Sequence, residues 1–180
     1  SGALEAKMIL ERIDAPAERL DSLTRGHDGG IYNGPQFRRN YVDSPEYGVP
    51  FLTSGTVLRA DLSTLPLLKR KDAESPMLSY LRLRKGMTLI SCSGTIGRMA
   101  YAREEMEGMW SSQDVMKIVP DDDKVPSGYI YAFLASKFGV PMITARTYGA
   151  IIQHLEPHHI ADLPVPRLGE AVEQRVHALV

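Results

Sequence analysis

Four side chains able to ligate a metal crowd one stretch of this 180-residue chain: His154, Glu156, His158 and His159. Zinc accepts imidazole and carboxylate, but donors packed so tightly in one loop rarely complete a tetrahedral set, so the stretch reads first as a turn or short helix. The single cysteine, Cys92, lies in an apolar run, where a buried and inert thiol is the default; it would act as a nucleophile only if the fold brought a histidine to it. One cysteine also excludes an intramolecular disulfide and a cysteine-rich zinc site, and it fits a reducing, cytoplasmic setting. The sequence has neither a Gly-x-Ser-x-Gly elbow nor a glycine-rich phosphate loop.

The cations point to a different chemistry. Net charge is −1, yet residues 51–103 carry nine basic side chains against three acidic ones, and residues 104–130 carry two against seven. A localised basic surface attracts a polyanion, although the same cations could be solvated or paired with the acidic stretch that follows. The densest clusters are Arg38-Arg39, beside Phe37 and Tyr41, and Lys69-Arg70-Lys71.

Elements must position these residues. Hydrophobic residues make up 43% of the chain and charged residues 24%, the balance of a globular domain. No apolar run approaches the length of a membrane span, and no signal peptide is visible. Leu4, Met8, Ile9 and Ile13 fall at helical spacing until Pro16 breaks the pattern, after which Leu20 and Leu23 resume an apolar stripe. Residues 26–35 form a glycine-rich loop, 36–50 an irregular exposed segment and 50–58 a short strand-like run. Asp61 or Ser63 is a helix cap candidate before the Lys69 cluster. Leu81 to Arg84 alternates in the manner of a strand edge, Lys85-Gly86 is a turn and Met87 to Cys92 an apolar strand. Ser93-Gly94-Thr95 is a tight turn before a strand over 96–102. Glu104 to Gly108 is an acidic loop, and Gln113 to Val119 another strand. Residues 127–138 predict a helix with Ser127 as N-cap and Gly139 as C-cap. Pro164 and Pro166 bracket an extended segment, and a last helix begins near residue 168 with Val172, Val176 and Val180 on one stripe. The sum is a mixed α/β (α+β) domain of short twisted strands, short helices and long loops, the last of which commonly carry recognition.

The ordered set Gly48-Val49-Pro50-Phe51-Leu52, then Gly86-Met87-Thr88-Leu89-Ile90-Ser91-Cys92-Ser93-Gly94-Thr95-Ile96-Gly97, then Ser111-Ser112-Gln113-Asp114 resembles the target recognition domain of type I restriction-modification specificity subunits. Gly128-Tyr129-Ile130-Tyr131-Ala132-Phe133-Leu134-Ala135-Ser136, Gly149, Leu163-Pro164-Val165-Pro166-Arg167-Leu168 and Glu173-Gln174 continue the resemblance over residues 10–180. In the family a Pro-x-Pro-x-Leu segment and a Glu-Gln pair open a long spacer helix; here extra residues separate Leu168 from Glu173. Ser1-Gly2 in place of an initial Met reads as a tag remnant, residues 1–3, and the resemblance implies 4–167 as the recognition domain and 168–180 as the start of the spacer helix. Family members usually join two such domains, each reading half of a split target, so one domain implies a fragment or a half-length subunit that pairs with a second copy.

The implied role is non-catalytic and cofactor-free: binding of double-stranded DNA and positioning of methyltransferase and restriction subunits. The glycine-rich cofactor turn and the Asn/Asp-Pro-Pro-aromatic run of a DNA methyltransferase are missing from the sequence, so methylation would belong to a partner. On this reading Lys69, Arg70 and Lys71 contact phosphates. Arg38, Arg39, Tyr41, Ser54, Arg98, Gln113, Arg146 and Tyr148 are the DNA-facing candidates, with arginine suited to guanine and glutamine to adenine. Each has an ordinary structural alternative as a solvated loop, turn or strand cap. Gln174, Val176 and Val180 are the candidates on the spacer or partner helix. Competing readings are a protein-interaction module using a coiled-coil seam on that helix, and the recognition domain of a methyltransferase or type II restriction fusion.

Overall fold

The fold is seen in a computed structural model that describes residues 2–147 and 154–180. Its centre is an antiparallel pair in which every residue is buried, Thr88–Ser91 and Val115–Ile118. Strand geometry turns successive side chains to opposite faces. Leu89 and Val115 accordingly join one apolar cluster, with Leu52, Leu83 and Met106, while Ile90, Met116 and Ile118 join another, with Leu20, Ile130 and Leu134. One short apolar strand pair thus divides two cores.

In chain order, α1 spans Gly2–Arg12, β1 Ala17–Arg19, β2 Ile31–Tyr32, β3 Tyr41–Val42, β4 Gly48–Leu52, β5 Leu67–Lys69 and α2 Arg70–Ala73. Then follow β6 Thr88–Ser91, β7 Met99–Tyr101, β8 Trp110–Ser111, β9 Val115–Ile118, α3 Ser127–Leu134, α4 Gly139–Thr147, β10 Pro164–Pro166 and α5 Glu170–Ala178. Among the described residues the strands form three sheets, β2-β9-β6-β7, β3-β5-β4-β8 and the ribbon β1-β10. The ribbon pairs Ala17 with Pro166 and Arg19 with Pro164, so the segment after α1 meets the segment before α5. The second sheet has its own core of Val49, Phe51, Leu68, Leu78, Leu81 and Trp110. The Trp110 indole N–H donates to the carbonyls of Ala73 (3.0 Å) and Leu78 (2.9 Å), satisfying the polar edge of a buried ring.

The mixed class, the strands within 87–92 and 113–119, the extended 164–166 segment and the last helix are where the residue pattern puts them. Several elements differ. Leu4 and Met8 do form a helical stripe, but α1 packs on α4 through its Ala6–Leu10 side and leaves both exposed. The irregular segment 36–50 contains β3 and the start of β4, strands too short or too proline-marked to show a period of two. Leu81 to Arg84 is no strand: Leu81 and Leu83 are buried and the arginines exposed, yet only Arg82 bridges, to Trp110. The helix predicted to Phe138 ends at Leu134, and Gly139 opens α4 instead of capping α3. A Cβ at Gly139 would sit 2.4 Å from the carbonyl oxygens of Phe133 and Leu134, so the turn between the helices requires glycine. Pro126 holds the cap position of α3, and the Ser127 hydroxyl instead meets the Tyr101 hydroxyl at 2.8 Å. Lys69 ends a strand and Arg70 and Lys71 open the four-residue α2.

Candidate nucleic-acid interface

Pairing of β3 with β5 places Tyr41 opposite Leu68, and the Lys69 N–H donates to the Asn40 carbonyl at 2.8 Å. Two clusters about thirty residues apart in sequence, Arg38 to Tyr41 and Lys69 to Lys71, therefore share one corner of the second sheet, where the edge strand β3 meets the end of β5 and the start of α2. Arg38, Tyr41, Lys69, Arg70 and Lys71 are exposed. They do not have equal freedom. Arg70 donates to the carbonyls of Pro45, Glu46 and Gly48, the last at 2.9 Å, and pairs with Glu74 at 3.5 Å. It ties the 44–48 turn to α2. Lys69, Arg70 and Lys71 also border a concave surface of about 790 Å³ with Val42, Ser44 and Tyr47.

Arg39 lies half-buried, its guanidinium carbon 5.1 Å from the centre of the Phe51 ring. Its Nη2 donates to Gln113 Oε1 at 3.5 Å and stands 3.9 Å from Asp114 Oδ2. Both distances are long for a charge-assisted contact. Behind Asp114 the contacts tighten. The two nitrogens of His154 lie 3.1 Å from Asp114 Oδ1 and 2.9 Å from Glu156 Oε1. Glu156 Oε2 accepts from Asn33 Nδ2 at 3.2 Å, and the Glu156 N–H donates to His159 Nδ1 at 2.8 Å. Asn33, Gly34, Gln36, Gln113, Asp114, His154 and Glu156 line a cleft of about 320 Å³. The cluster singled out for metal chemistry thus divides: His154 and Glu156 join this network, and His159 closes a short 3-10 turn with Glu156.

Under the cleft sits a residue that the sequence reasoning missed. Lys117 is fully buried in β9; its Nζ donates to the Asn33 carbonyl at 2.5 Å and the Ser112 carbonyl at 2.9 Å. Burial pushes its amine down to about 7, with Cys92 and Asp114 acting against that shift. A neutral amine has two N–H donors, and these two carbonyls use both. The neighbouring Cys92 thiol is pushed up to about 12 by burial, which makes it a poor nucleophile. A lysine inside an apolar strand resembles a strand-edge cation in sequence, so only its place in the Val115–Ile118 run signalled it.

The remaining candidates lie apart. Ser54 is half-buried in the turn after β4, where the Thr53 N–H donates to Thr56 Oγ1 at 2.9 Å. Arg98 is exposed in the β6–β7 connection, within the first sheet. Arg146, at the end of α4, pairs with Asp162 at 2.9 Å. Tyr148 lies outside the described residues. On α5, Gln174 is exposed while Val176 packs against the larger core; Val180, expected on the same stripe, is exposed beyond the helix, which ends at Ala178. The Glu173 carboxylate, beside Gln174, is buried and accepts from Arg167 Nε (3.1 Å), Arg167 Nη2 (2.8 Å) and the Leu168 N–H (3.0 Å). That anchor fixes α5 to the extended β10 segment. Nothing in the described residues forms a nucleophile–base pair around Cys92, and no described helix is long and apolar enough to cross a membrane.

No family model matches the chain, and no curated relative does. Solved structures do. The HsdS subunit from Thermoanaerobacter tengcongensis superposes with a TM-score of 0.61 at 13% identity, over 99% of this chain and 43% of that one. The S subunit of a type I restriction-modification system from M. genitalium gives 0.57 at 16% identity, over 93% and 37%. A chain from a structural study of complex assembly and conformational transition in the type I R-M system gives 0.60 at 13%, over 98% and 43%. The chain spans less than half the length of each. In fold, this chain is similar over nearly its whole length to part of the S subunit of type I restriction-modification systems, as its ordered sequence segments led one to expect.

Proposed function

We propose that this chain binds double-stranded DNA sequence-specifically as the recognition domain of a type I restriction-modification specificity subunit. It reads one half of a bipartite target in the cytoplasm and directs methyltransferase and restriction subunits, which carry out the chemistry. The observation that carries this reading is the fold match to S subunits over almost all of the chain. Charge supports it: exposed Arg38, Lys69 and Lys71 gather at the corner of the sheet where β3 meets β5 and α2, and cations there would exchange phosphate counterions. Exposed Gln174 on α5, with exposed Val180 just beyond the helix, fits a surface that meets a spacer, a second recognition domain or a second copy.

The test separates phosphate contacts from structural cations. Lys69→Ala with Lys71→Ala leaves the Arg70 carbonyl contacts intact, and each lost lysine should lower the slope of log affinity against log salt by about one. Affinity should fall evenly across DNA sequences. An unchanged slope would remove this corner from the interface.

A further inference from the structure

The cleft beside Arg39 has the wrong charge for a phosphate and the right chemistry for a base edge. Its lining carries two carboxylates, Asp114 and Glu156, and a phosphate there would face both. Carboxylates in a DNA interface accept from amino groups, of which cytosine N4 is the characteristic one in the major groove. Arg39 stands at the rim, over the Phe51 ring, and among the described residues its guanidinium meets polar partners only at Gln113 (3.5 Å) and Asp114 (3.9 Å). A guanidinium has five N–H donors, so most of this set remains open to a ligand. Asp114 has one oxygen engaged by His154 and the other turned toward Arg39.

We propose that Arg39 and Asp114 are the specificity-determining pair for a single G·C base pair of the target, with Gln113, His154 and Glu156 as positioning residues. This rests on the DNA-binding reading above. Across the major groove a G·C pair presents two acceptors on guanine and then the cytosine amino donor. Arg39 supplies two donors and Asp114 the acceptor beside them, in matching order. An A·T pair would bring the adenine amino group against the guanidinium, a donor facing a donor. Phe51 supports the guanidinium from below, and His154 and Glu156 fix the carboxylate by contacts of 3.1 and 2.9 Å.

The experiment selects from a random duplex pool with the 180-residue chain and its variants, at several salt concentrations. The wild type should enrich a motif containing an invariant G·C position. Asp114→Asn and Arg39→Lys should each relax that same position, by roughly ten- to hundredfold, and leave the others unchanged. Glu156→Ala should relax it too, while Glu156→Gln, which keeps an acceptor for His154, should restore it; the salt slope should not move in either. If the motif persists and neither Asp114→Asn nor Arg39→Lys alters any position, the base-pair assignment is wrong while DNA recognition stands, and the acidic cleft would suit a cationic side chain of a protein partner. If the wild type enriches no motif, both readings fall together.

Discussion

Lys117 shows how much one residue can decide. It sits fully buried between strands, where a charged ammonium is heavily penalised. The unfolded chain holds its proton up to the ordinary lysine value near 10.5, while the folded chain releases it near 7. Between those values the unfolded state binds more protons, so stability rises with pH from about 7 toward about 10 and is lowest below 7. The Cys92 thiol opposes this rise from about 9 and the buried hydroxyls of Tyr32 and Tyr129 from about 10, because burial pushes all three up to about 12 and the unfolded chain ionises them first. Urea titrations between pH 7 and 8, below the range where the Cys92 thiol titrates in the unfolded chain, should show this rise in the wild type and no comparable rise in Lys117→Met. A parallel rise in the variant would assign the slope to other groups.

At the scale of elements, the long apolar runs were legible and the short pieces were not. Met87 to Cys92 and Gln113 to Val119 show strands because their cores, Thr88–Ser91 and Val115–Ile118, are buried on both faces and carry mostly apolar side chains. β3 and β8 have two residues each, too few for any period, and they form only because partner strands already present their edges. Of the candidate site, the Arg38 and Lys69 clusters were visible as local charge. Their adjacency was not, since it depends on the β3–β5 pairing; nor were Asn33, Asp114 and Lys117, which meet only through tertiary contacts. Glu173 was visible as half of a Glu-Gln pair, but its burial was not: helical spacing put the valines inward, whereas Arg167 draws the carboxylate in. Its removal should matter. Glu173→Ala leaves Arg167 without its bidentate partner and should destabilise the chain by about 3 kcal/mol, measured as a lower urea midpoint. A loss below about 1 kcal/mol would mean that α5 is held by apolar packing alone.

At the scale of the molecule, the described residues form three apolar cores and three small sheets and leave long connections on the surface, an arrangement in which a scaffold presents loops. The charge separates in the same way. Exposed cations Arg38, Lys69 and Lys71 gather at one corner of the second sheet, the acidic cleft lies beside Arg39, and Arg146 and Arg70 are engaged within the fold. An interface to DNA needs both parts, cations for the backbone and polar groups for the base edges. The most direct measurement is selection from a random duplex DNA pool by the purified chain at low salt, followed by sequencing. Enrichment of a short motif, with affinity falling steeply as salt rises, is the result this account predicts. Absence of binding even at low salt would contradict it and leave the exposed cations as a solvated face.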